Sequence, residues 1–202
     1  MLRAKDFRAE AWKKLSGKWG TMAVATLVYA VITGACSALS YIYVGYVATL
    51  LIAGPFTLGF VLMAQKVIRM QELEFKTLFA GFNDFVRAFI LNLLNGVLIF
   101  LWSLLLVIPG IIKSLSYAMS FYILADHPEL SANEARKRSM EMMHGNKWRL
   151  FCLYFSFIGW CLLSVLTLGI LYFWVFPYMQ TATAAFYQNL LPVETEPEQI
   201  TA

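Results

Sequence analysis

Charge is scarce in this 202-residue sequence: 14% of it is Asp, Glu, Lys or Arg, where a soluble domain carries about a quarter. With 60% hydrophobic residues and a mean hydropathy of +0.65, an ordinary water-soluble core is excluded. Cysteine is equally sparse. The three present, Cys36, Cys152 and Cys161, all fall inside apolar runs, so neither a disulfide framework nor a cysteine zinc site is expected. They read as small fillers between helices. Of the two histidines, His144 closes an E-x-x-H with Glu141. Di-iron bundles need a second such motif, and His127 has none, so neither metal nor cofactor is expected. Phosphate-loop, nucleophile-elbow, zinc-protease and nucleotide fingerprints are all missing. That argues against an enzyme and against a nucleic-acid partner.

What is plentiful is apolar sequence. Runs at about 20–43, 47–66, 87–108, 111–125, 150–166 and 170–190 approach or exceed the ~20 residues that cross a bilayer as helix. A charged segment precedes the first run. That segment with its run is too long for a signal peptide and has no small-residue cleavage site, so the run is expected to remain as a span. The fourth run is short, which leaves a re-entrant hairpin as the alternative to a short or tilted crossing. Six crossings leave the loops near 44–46, 109–110 and 167–169 together on one side, without charge. Every Lys and Arg except Lys113 then falls on or at the border of the other side. The positive-inside rule therefore predicts a multi-pass protein of the cytoplasmic membrane with both termini in the cytoplasm. Residues 191–202, with Glu194, Glu196, Glu198 and two prolines, read as a disordered acidic tail.

The basic residues are concentrated in "SANEARKRSMEMMHGNKWRLF", residues 131–151, which holds Arg136, Lys137, Arg138, Lys147 and Arg149. Ser131 and Glu134 form a capping box that starts a helix at Ala132, and Gly145 supplies a stop. Ala132, Ala135, Ser139, Met142 and Met143 share one face. A helix of this kind next to a span is expected to lie in the membrane interface with its cations on anionic headgroups. Residues 3–16 and 72–82 repeat the device, and Gly17, Gly81 and Gly145 are evenly spaced. The pattern suggests three pseudo-repeats of short amphipathic helix plus hairpin. The fold class is thus all-α: a polytopic membrane bundle of six transmembrane helices with three short cytoplasmic interfacial helices, in a single domain over residues 1–190.

"LLLVIPGIIKSLSYAMSFYILADHPELSANEARKRSMEMMHGNKWRLFCLYFSFIGW" and "TLGILYFWVFPYMQTATAAFY", together with "AWKKLSGKWG" and "LFAGFNDF", resemble a bacterial integral-membrane family known only as domain of unknown function nine-seven-five. The resemblance covers nearly the whole chain and implies the architecture without an activity. "IPGII" and "ANEARKRS" also resemble, more remotely, the membrane region of some glycerophosphodiester phosphodiesterases. That implies lipid surroundings and transfers no catalytic residue.

Within the spans the polar residues Asn92, Asn95, Lys113, Gln180 and Thr181 either bond between helices or line a path. Pro55 and Pro177 are expected to kink their helices where Gly54, Gly59 and Thr181 permit close packing or backbone rescue. The leading expectation is a non-enzymatic membrane protein whose cytoplasmic face binds anionic lipid and a partner protein or second copy. The alternative is a small permease or channel component with a path along spans three, four and six. An intramembrane lipid enzyme is third.

Overall fold

A computed structural model describes residues 3–38 and 44–191. Most of the expected acidic tail, residues 192–202, lies outside the described residues, as does part of the first interhelical loop. Among the described residues there are helices and no strands. In chain order they are α1 (Ala4–Leu15), α2 (Trp19–Ala38), α3 (Val44–Ile68), a 3-10 helix (Phe75–Phe82), α4 (Phe85–Leu105), α5 (Val107–Tyr117) and α6 (Ser120–Asp126). They continue with α7 (Ala132–Met142), α8 (Lys147–Phe155), α9 (Ile158–Leu166) and α10 (Tyr172–Leu190).

Five stretches are long and apolar enough to cross a membrane: Trp19–Cys36, Val47–Ile68, Phe85–Leu105, Val107–Asp126 and Lys147–Leu166. The fourth is longer than its apolar run, because the turn before it comes earlier. Leu106, not Pro109, breaks the chain, with φ −163° and ψ 142°. Pro109 then sits in the first turn of α5, where its missing N–H leaves no bond unmade. The fifth stretch is α8 plus α9, offset at Ser156–Phe157.

Helix α10 is not among the five, and its packing explains why. Val175, Tyr178 and every residue from Thr181 to Tyr187 are buried. A helix sheathed by other helices need not match lipid, so it tolerates Gln180, Thr181, Thr183 and Gln188. The inner helices α3, α6 and α10 run in the same direction. Gln65 Nε2 donates to the Tyr122 carbonyl at 3.3 Å, and one turn on Arg69 meets Asp126. Likewise Phe60 packs on Phe176, and further along Tyr187 also reaches Asp126. Helices α2, α4 and α8–α9 turn large apolar side chains outward, among them Val31, Phe100 and Leu162. Leu104 to Ile108 and Leu166 to Ile170 form apolar tips opposite the charged end, with Leu168 94% exposed.

Backbones approach most closely along α3. A methyl at Gly54 would overlap the Ala88 carbonyl, one at Gly59 that of Leu78, and one at Gly81 that of Pro55. Close packing at Gly54 and Gly59 follows the expectation. Thr181 behaves differently: its hydroxyl donates to the Pro177 carbonyl at 2.8 Å, an ordinary back-bond rather than rescue of the acceptor that Pro177 leaves free.

The three short segments at the charged end diverge from one another. In α1, Phe7, Ala11 and Leu15 are fully buried, Phe7 on Phe186 at 5.3 Å. In α7, Ala132, Ala135, Ser139 and Met143 are buried as well. Both apolar stripes are therefore taken up by the bundle itself. Gly17 and Gly145 end these helices in the left-handed region, at φ 81° and 80°, where glycine meets no Cβ penalty. The middle segment is a 3-10 helix. Gly81 lies inside it, against the Pro55 carbonyl, and the 3-10 winding buries Thr77, Leu78 and Gly81, while Phe75 and Phe79 stay partly exposed and Phe79 and Phe82 pack on Phe56.

Candidate functional site

Functional side chains collect where α3, α6 and α10 end. Arg69 Nη2 lies 2.6 Å from Asp126 Oδ2. The Tyr187 hydroxyl donates to the same oxygen at 3.1 Å. With the Gln188 amide oriented by its hydrogen bonding, its oxygen accepts from Arg69 Nε and Nη2, both at 2.9 Å. One ion pair thus joins three helix ends. Above it, the Tyr122 hydroxyl donates to the Gln180 carbonyl and side-chain oxygen at 3.2 and 3.3 Å. Two lysines tie the N-terminal segment to the same place: Lys14 Nζ, on α1, donates to the Ile68 carbonyl, and Lys18 Nζ, in the turn between α1 and α2, to that of Gln71, both at 2.7 Å. The Lys14 ammonium satisfies an orphan carbonyl at the end of α3 and offsets the negative end of its dipole, and Lys18 holds the loop beyond it.

Arg87, on the first turn of α4, organises the turn after α6. It donates to the Leu130 carbonyl at 3.1 Å and that of His127 at 3.2 Å, and pairs with Asp84 at 3.0 Å. Asp126–Glu129 is a turn, and α6 ends before Pro128 as its ring requires. His127 Nδ1 lies 2.9 Å from Glu129, whose carboxyl is held below the usual range by its own backbone N–H and by that imidazole. His144 and Glu141 are exposed, and among the described residues no three metal-ligating groups converge.

The α7 capping box forms. Glu134 N–H donates to Ser131 Oγ at 3.3 Å, and Ser131 N–H to Glu134 Oε2 at 2.8 Å. The Ser131 hydroxyl and N–H together lower the Glu134 carboxyl. The basic knot divides in two. Arg136 donates to Asn133 at 2.7 Å and covers the Tyr117 ring at 5.4 Å. Among the described residues it forms no ion pair with a carboxylate. Arg149 donates to Asn146 and Asn189 at 2.9 and 3.0 Å and stacks over Phe186 at 5.5 Å. Both belong to the scaffold. Lys137 and Arg138 project outward and form no ion pair among the described residues, and Lys147 is half-buried at the start of α8.

The intramembrane polar residues do not form one group. Gln180 joins Tyr122, and Thr181 bonds its own helix. Lys113 sets its ammonium over the Trp102 ring at 4.9 Å. Asn95 on α4 is buried with Oδ1 unbonded, and Asn92 is half-buried on the same helix. Sequence reasoning missed Gln65, Tyr122, Arg69 and Tyr187. Gln65 carried a signal, as a polar residue inside an apolar run. The tyrosines did not.

Comparison with known families settles what kind of chain this is. The model of a family of proteins of unknown function, DUF975, matches residues 1–113 and 103–194. The chain belongs to that family. Neither a curated protein nor a solved structure matches it. The likeness to phosphodiesterase membrane regions is therefore not shown. Membership and the apolar helices together agree with a membrane protein, and the family carries no assigned activity.

Proposed function

We propose that this is a non-enzymatic membrane protein that crosses six times, with both termini cytoplasmic, and whose charged end binds anionic lipid headgroups. In this reading α10 is the sixth crossing, shielded by its neighbours. Three pseudo-repeats each supply a short capping segment and a hairpin, and each hairpin sends its second helix (α3, α6 or α10) inward. The same charged end is a docking face for a protein partner or a second copy.

One observation carries the lipid reading. The apolar face of α7 is consumed inside the protein, so the helix turns Lys137 and Arg138 outward, where they form no ion pair among the described residues. The exposed Glu134 carboxylate nevertheless lies near both, and that of Glu129 near Arg138. Each cation close to an anionic membrane surface contributes about 1 kcal/mol. Neutralising Arg136, Lys137 and Arg138 together to Gln should lower anionic-lipid occupancy several-fold by native mass spectrometry from mixed-lipid nanodiscs. The loss should shrink as salt rises. Unchanged occupancy in a correctly inserted variant would leave the triplet as a topology signal alone.

A second reading, a small permease or channel component, rests on Gln65, Tyr122, Gln180 and the unbonded Asn95 inside the bundle. Proteoliposomes that leak neither ions nor small polar solutes would count against it.

A further inference from the structure

Between the last turn of α3 and the 3-10 helix is a cavity of about 460 Å³, walled by Leu62, Lys66, Lys76, Thr77, Phe79 and Asn83. Lys66 is half-buried near the end of an apolar helix, and among the described residues it has no ion pair. Its ammonium donates to Thr77 Oγ1 at 3.2 Å. An ammonium carries three donors, so two are left over. Because that hydroxyl accepts from Lys66, its own proton is free to be donated into the cavity. Thr77 is 5% exposed, which makes this a fixed donor rather than a surface one. Lys76 is held by Glu74 at 2.6 Å, with both side chains at least half exposed. Such a pair is weak and exchanges readily for a better anion. Asn83 adds an amide at the rim.

The cavity therefore offers two cations and two neutral donors. Beside them Leu62 and Phe79 form an apolar wall, which continues outward through exposed Phe75. Such a set matches a group with several negatively charged oxygens attached to an apolar body. We propose that this cavity binds a phosphate group, carried either by a phospholipid headgroup at the membrane surface or by a free phosphate. The Glu74 carboxylate competes for Lys76, so it sets the affinity. The proposal extends the anionic-lipid reading of the charged end, but none of its residues lies on α7, so the two can fail separately.

The test uses the full chain in nanodiscs, with phosphatidylglycerol and inorganic phosphate as probes. Lys66→Gln and Thr77→Val should each weaken phosphatidylglycerol binding, Lys66→Gln by about tenfold, the size of one charge-assisted bond. Glu74→Gln should strengthen it by releasing Lys76, and it keeps the test decisive if a Lys66 variant does not fold. Displacement of the lipid by millimolar phosphate assigns the site to the free anion; persistence assigns it to the headgroup. Unchanged binding of both probes in folded Lys66→Gln and Glu74→Gln overturns the proposal. Loss of lipid in the α7 triple variant alone would overturn the cavity and keep the α7 reading, and loss in Lys66→Gln alone would do the reverse.

Discussion

The hydroxyl of Ser139 on α7 donates to the carbonyl of Ser116 at 2.8 Å, and the same oxygen accepts the Met119 N–H at 3.2 Å. The break between α5 and α6 leaves those two backbone groups without helical partners, and a single buried side chain from the basic helix satisfies both. The knot that looked like a surface feature is also the splint of the break between α5 and α6.

Ser139→Ala should therefore destabilise the protein by about 1–3 kcal/mol, the cost of leaving buried backbone groups unpaired. Thermal unfolding in detergent checks the size. A Ser139→Cys or Ser139→Thr variant with stability near the parent would support hydrogen bonding as the cause, and an unaffected Ser139→Ala would refute it.

Asp126→Asn should separate the inner helix ends. Asp126 is the shared acceptor for Arg69 and Tyr187, and hydrogen bonds to charged groups contribute about 1.5–3 kcal/mol each in favourable settings. The pair is partly solvated, which brings the expected loss to the lower end. Tyr187→Phe removes one bond and should cost less, roughly 1 kcal/mol. If Tyr187→Phe proved the more damaging, the ion pair would not be the organising contact.

Alanine at Gly59 or Gly81 should be more disruptive than either. The added methyl would meet backbone carbonyls of Leu78 and Pro55, which cannot rotate away as a side chain can. Overpacking typically costs about 1–3 kcal/mol, and rigid backbone on both sides places these sites at or above the top of that range. Gly96, whose Cβ position is open, is the control. Its alanine variant should express and melt like the parent.

Topology is tested with single cysteines in a background lacking Cys36, Cys152 and Cys161. Leu168→Cys at the apolar tip and Asn133→Cys at the start of α7 should label from opposite sides of intact cells. Labelling of both from outside would require an even number of crossings between them, where the six-crossing reading has one, and would overturn that reading.

The sequence alone determined that the chain is helical and apolar, which end carries the charge, where α7 starts and stops, and that Gly54 and Gly59 allow close approach. These follow from local chemistry: hydropathy, the Ser131–Glu134 box, and the absence of a Cβ. Only the tertiary structure decided which apolar surface meets lipid and which meets protein. Hydrocarbon and a protein interior reward the same side chains, so the stripes of Phe7 and Leu15, or of Ala135 and Met143, read as interfacial until the bundle is seen to bury them. It alone also decided that residues 75–82 wind as a 3-10 helix, with Gly81 set against the Pro55 carbonyl. And it made α10 central, surrounding its polar residues with other helices and so removing the need for the hydropathy that lipid would impose.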